Sequence, residues 1–240
     1  MSAAEQLAGA DPAGVRKTGA ALPAKMRENE TTVARAAGQL RSRPLGSTGE
    51  GLVGSTMVLP HWDYFMTIEA DLSRAFAYVE PNEENFGTYS VEFVKVLLTA
   101  SSEVEVVATL LCKSIQSDYH GSGIGSLRKV ILDCYPKFPS LRIQVPRSDL
   151  EVEPWASWAH NSNPDWWNAY NSVKHKRYRH FKDANLGNVL MSMSGLFALL
   201  LYLYHNSLEE IVPASRLFSV RPHPMMPFSK TRYALPDFEY

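Results

Sequence analysis

Cysteine is scarce in this chain: 240 residues contain only Cys112 and Cys134. Neither belongs to a Cys-x-x-Cys pair or a Cys/His array, so a structural zinc site and a disulfide framework are not expected. Both sit among apolar neighbours and read as reduced, buried thiols. Charge of one sign is also missing, because 24 Lys and Arg face 25 Asp and Glu for a formal net charge of -1. Attraction for nucleic acid must then come from a local patch. The N-terminus has no continuous apolar run of the secretory kind, since Asp, Gly, Pro and Arg break its Ala-rich stretches. The Gly/Ser loop "HGSGIGS" (120–126) lacks the Gly-Lys-Ser/Thr ending of a phosphate loop, and the Gly-x-Gly-x-x-Gly fingerprint is absent. No serine sits in a Gly-x-Ser-x-Gly context, so a Ser/His/Asp triad has no support.

One long hydrophobic run exists, "LGNVLMSMSGLFALLLYLY" (186–204). Its length reaches that of a membrane span. Gly187, Asn188, Ser192, Ser194 and Gly195 dilute its first half, and a buried core helix is the better reading. No membrane association is expected, and the protein is expected to be cytoplasmic.

Aromatics are absent from residues 1–50, where Pro12, Pro23 and Pro44 break an Ala-, Gly- and charge-rich stretch. Such a segment cannot bury enough apolar surface to offset its ordering entropy. Residues 1–55 therefore read as a disordered tail and linker, 56–212 as a helical domain, and 213–240 as a Pro-rich extension. Leu217 and Phe218 form a candidate docking pair in that extension.

Within the domain, Phe65, Ile68, Leu72, Ala75 and Phe76 recur at helical spacing, which predicts a helix stopping before Pro81. Ser90 suits the cap of a second helix, from about Val91 to Gln116. Val94, Leu97, Leu98, Ser101, Val104, Ala108, Leu111, Cys112 and Ile115 make its apolar stripe. Glu105 falls within that stripe and Glu103 points away, so Glu105 needs a cationic partner. A short helix is expected near Leu127 to Tyr135. Prolines 136, 139, 146 and 154 then limit a small β-hairpin or pair of extended arms. Asn163 and Pro164 suit the start of a helix carrying "WWNAYNSVKHKRYRHF" (166–181). Asp183 is expected to begin the last long helix, which runs to about His205.

That quoted stretch holds the densest chemistry. Trp166, Trp167 and Tyr170 are large apolar bodies with polar tips and read as an anchor. His175 lies one turn past Asn171, near Lys174 and Arg177. A histidine near its working pH can exchange a proton with a ribose 2′-hydroxyl or a leaving oxygen. Neighbouring cations would stabilise charge on a transition-state phosphate. The candidate catalytic set is His175, Asn171, Lys174, Arg177 and Glu105, and the candidate RNA contacts are Lys176, Arg179, His180 and Tyr170. The plain alternative is a solvated basic helix face. A metal site is not expected: His175 and His180 would diverge on a continuous helix, with no acidic residue between them.

The order "TYSVEF…LLTASSEVEVVATLLC", a Pro-rich connector, then "PDWWNAYNSVKHKRYRHFKDANLGNVLMSMSGLFALLLYLY" resembles a bacterial HEPN-like domain over about residues 62–206. The resemblance implies an all-α bundle of four to five helices. It also implies a homodimer with a shared cleft, no cofactor, and RNA or a nucleotide as ligand. Many such domains are metal-independent endoribonucleases of toxin–antitoxin, abortive-infection or antiviral defence systems, with an antitoxin or defence partner. Others are non-catalytic RNA-binding, nucleotide-binding or protein-interaction modules. The nuclease signature pairs an arginine with a histidine after four to six intervening residues, often with a polar residue right after the arginine. His175 and Asn171 match the histidine and the polar residue, while Tyr170 stands where the arginine would be. Lys174 and His180 have the right spacing, but lysine lacks the bidentate phosphate fork.

Overall fold

The structure is a computed structural model and describes residues 59–205 and 210–220, with the backbone at 233–234. The expected disordered tail at 1–55 lies outside the described residues.

The fold is mostly helical. Five α-helices are described: α1 (Pro60–Ala75), α2 (Val91–Ile115), α3 (Ile124–Cys134), α4 (Asp165–His180) and α5 (Leu186–Tyr204). Helix α2 is the hub and packs against each of the other four. Ser90 caps it as expected, its Oγ accepting from the Phe93 N–H at 3.0 Å. The expected stripe is buried or half-buried throughout, from Val94 to Ile115.

A second stripe, Val96, Ala100, Glu103 and Val107, is buried as well. This corrects the reading of the two carboxylates. Because α1 and α5 both cover α2, its buried arc is wider than one stripe. Glu103 is therefore the buried acid, and its Oε1 lies 2.6 Å from His61 Nδ1 in the first turn of α1. Glu105 is only half-buried.

Helix α1 begins at Pro60 and ends at Ala75, before Pro81 as expected. Two other helix starts differ from expectation. Helix α4 begins at Asp165, with Pro164 as its N-cap and no side-chain cap bond, so Asn163 does not cap it. Helix α5 is capped by Asn185, whose side chain accepts from the Asn188 N–H at 3.0 Å. Asp183 lies earlier, in a 3₁₀ turn (Phe181–Asp183).

The Pro-limited hairpin is present as β1 (Ile143–Val145) and β2 (Leu150–Val152), paired antiparallel with Ile143 opposite Val152. Two further short strands are β3 (Glu210–Ile211) and β4 (Ser219–Val220). The backbone at Tyr233–Ala234, β5, pairs antiparallel with β3. Strand β4 joins the other edge of β1, with Ile143 opposite Val220. Residues 213–220, which the sequence assigns to a Pro-rich extension, thus complete the core. Leu217 and Phe218 are buried, and the Phe218 ring lies 6.1 Å from Phe65 and 6.0 Å from Phe197. Glu69 of α1 fixes this segment: its buried carboxylate accepts from the Ser215 hydroxyl and from the Arg216 and Leu217 N–H groups.

Helix α5 is the core helix rather than a membrane span, being buried from Ser192 to Tyr202. Gly195 is needed there for close approach. A Cβ at this position would lie 3.1 Å from the Trp166 ring and 3.4 Å from Trp155. Trp155 in turn donates from Nε1 to the Gly195 carbonyl at 3.2 Å.

Candidate functional site

Helix α4 divides in the middle. Its first half is fixed by aromatic packing. Trp166, Trp167 and Tyr170 are buried, as their anchor reading expects. The Trp166 ring stands edge-on to Trp155 at 5.1 Å, and its Nε1 donates to the Pro154 carbonyl at 2.8 Å. Tyr170 follows Trp167 at 5.2 Å between ring centroids.

Lys176 then leaves the helical region, with φ -140° and ψ 48°, and bends the chain. No glycine or proline marks this point, so periodicity alone cannot reveal it. From Lys174 to Arg179 every side chain is exposed. Past the bend, Phe181 packs edge-on against Tyr89 at 5.9 Å. The following turn is held from two sides. Asn188 Nδ2 donates to the Asp183 carbonyl at 2.8 Å, and Leu186 N–H donates to the Thr88 carbonyl at 2.8 Å.

Two open grooves flank His175. The first, of about 480 Å³, is lined by Leu98, Val173, Lys174, His175, Arg177, Tyr178 and Phe181. It is apolar and aromatic with a cationic rim. The second, of about 410 Å³, is lined by Asn171, Ser172, His175, Lys176 and His180. Its lining residues are all polar or basic, and both histidines are among them. This corrects the expectation that His175 and His180 diverge, which assumed a straight helix. His175 alone borders both grooves and forms the ridge between them.

The remaining sequence-predicted residues are distributed as follows. Lys174 donates to the Tyr170 hydroxyl at 3.0 Å. That bond, with a smaller contribution from the Glu105 charge, raises the Lys174 pKa above its ordinary value. Glu105 thus acts on the basic run only at a distance and lines neither groove. Tyr170 is 2% exposed, so its ring is closed to a nucleobase, which corrects its place among the RNA contacts. Asn171 commits its Nδ2 to the Trp167 carbonyl at 2.9 Å while still lining the second groove. Arg179 lies 5.3 Å from the ring of the exposed Tyr178 and lines neither groove.

Several participants escape the sequence reading. Asp183 binds His180, with Oδ2 2.8 Å from Nδ1. The signal was the three-residue spacing, hidden by placing Asp183 at a helix start. Leu98, Tyr178 and Phe181 gather at the first groove from separate elements. Arg216 and His223, with six residues between them, also have the nuclease spacing, and His223 lies outside the described residues. Cys112 is no candidate nucleophile, because burial pushes its thiol up to about 12. Among the described residues no group of three His, Cys, Asp or Glu side chains could hold a metal ion. Comparison with family models, curated proteins and solved structures returns no match for this chain.

Proposed function

We propose that this protein is a HEPN-like RNA-targeting protein that cleaves RNA without a metal, with His175 as its general acid or base. The observation that carries the proposal is the position of His175. It is exposed on the ridge between an aromatic, cation-rimmed groove and a polar one. Tyr178 and Phe181 offer ring surfaces to an unstacked base, the usual way that single-stranded RNA is held. Lys174 and Arg177 offer charge to the adjoining phosphates. A ribose 2′-hydroxyl set beside the imidazole can lose its proton there and attack the neighbouring phosphorus.

Tyr170 at the arginine position does not strip the site of charge. Its hydroxyl holds the Lys174 ammonium one turn further along. A point charge replaces the bidentate fork, which favours a slower enzyme than one with arginine.

The test uses purified full-length protein with total RNA or tRNA in EDTA, beside His175→Ala. Cleavage that the variant lacks, slowed by about 10²–10⁴-fold, supports the proposal. Equal cleavage by both proteins removes His175 from the chemistry. A second reading, a non-catalytic RNA-binding module, is favoured by one observation: the arginine position is a buried tyrosine. Salt-sensitive RNA binding without cleavage decides for it. The proposal includes a cytoplasmic homodimer acting with an antitoxin or defence partner; a strict monomer in light scattering would remove the dimer.

A further inference from the structure

We infer that His180, held by Asp183, is the general acid that completes the proposed RNA cleavage site. This inference rests on the nuclease reading and adds a second proton-transfer group to it. Three observations converge. His180 and His175 line the same groove, although they stand five positions apart along the chain. The helix bends at Lys176, between them. The Asp183 carboxylate lies 2.8 Å from His180 Nδ1, so that nitrogen is committed and Nε2 is left for exchange.

A carboxylate on one ring nitrogen fixes the tautomer and orientation of a histidine and stabilises the imidazolium. A proton donor to the leaving oxygen needs that fixed orientation. His175 shows no such carboxylate partner among the described residues, which suits a base. Lys176 lines the same groove and would supply charge to the phosphate there. Asp183 is itself pinned, since Asn188 in the first turn of α5 binds its carbonyl.

The step balances as follows. His175 takes the proton of the 2′-hydroxyl, and the 2′-oxygen forms a bond to phosphorus. The bond from phosphorus to the 5′-oxygen breaks, and that oxygen leaves with a proton from His180. The products are a 2′,3′-cyclic phosphate and a 5′-hydroxyl. Nothing is oxidised or reduced. Proton exchange with water returns both histidines to their starting forms. The upstream base would occupy the aromatic groove and the leaving strand the polar one, with the scissile phosphate over the ridge.

The test compares leaving groups. An RNA oligomer spanning a cleaved linkage is prepared with the natural 5′-oxygen and with a bridging 5′-sulfur, which departs without a proton. In EDTA, His180→Ala is expected to slow the oxygen substrate by about 10²–10⁴-fold and the sulfur substrate by less than about tenfold. His175→Ala is expected to slow both. Asp183→Asn, at a positioning residue, is expected to show the oxygen-selective loss in weaker form, which a merely structural role would not produce. Thermal melts of each variant separate chemistry from folding. If His180→Ala slows both substrates equally, or neither, the assignment of His180 is overturned. Wild-type protein that cleaves neither substrate overturns the nuclease reading itself, a result distinct from a nuclease indifferent to His180.

Discussion

The two halves of α4 are equally rich in unusual side chains and use them in opposite ways. Before the bend, indoles and a phenol are driven into the core, where Trp166 donates to the Pro154 carbonyl while the Tyr170 hydroxyl accepts from Lys174 at the surface. After it, Arg177, Arg179 and His180 stand in or near water. The lesson concerns rigidity. A site on a helix inherits the precision of whatever packs the preceding turns. Here the aromatic half fixes where the basic half emerges, and Lys176 redirects it.

Breaking the anchor is expected to have the largest effect. Trp166→Ala removes a buried indole against Trp155 and Gly195, and costs about 3–5 kcal/mol in chemical denaturation. A variant as stable as the parent would show that α4 is held elsewhere. Pushing on the same contact from the other side is milder. Gly195→Leu overfills the space beneath both indoles and costs about 1–3 kcal/mol.

Tyr170→Phe probes the boundary between the halves, since it deletes only the hydroxyl that holds Lys174. A loss of about 0.5–1.5 kcal/mol is expected. A gentler effect comes from His205, at the end of α5. Burial lowers its pKa below the ordinary 6.5. The unfolded chain then binds this proton more readily than the folded one. Stability falls as pH drops below about 6.5 and levels off under the lowered folded value. His205→Gln should flatten that part of a pH–stability curve; an unchanged curve would place the slope elsewhere. The smallest stability effect belongs to the exposed half. His175→Ala is expected to change stability by no more than about 0.5 kcal/mol, which keeps its loss of RNA cleavage interpretable.

Much of the bundle was legible because its helices obey a single rule, apolar recurrence near every 3.6 residues. The Ser90 cap, the α2 stripe, the Trp166–Trp167–Tyr170 anchor and the hairpin between prolines all follow from local chemistry. The docking of Leu217 and Phe218 was readable from their hydrophobicity alone. Glu103 was not, because its burial depends on two neighbours covering α2 at once. The Lys176 bend was not, because no residue type announces it. His175, Asn171 and Lys174, singled out by their spacing, each line one of the two grooves or both. The pairing of His180 with Asp183 requires knowing that α4 stops at His180, and boundaries are where pattern reading is weakest. The family resemblance supplied a hypothesis for the chemistry and bears no weight for the geometry.

The clamp on Glu69 has a consequence for synthesis. The carboxylate and its Leu217 donor are separated by 148 positions along the chain. At roughly 5–20 residues per second, the ribosome needs on the order of 7–30 seconds to deliver the second after the first. During that interval α1 carries a negative charge on the face that will be sealed. An unpaired carboxylate stays hydrated until its partners arrive. When residues 215–217 arrive, their hydroxyl and amide groups replace that water, and the same carboxylate becomes the latch.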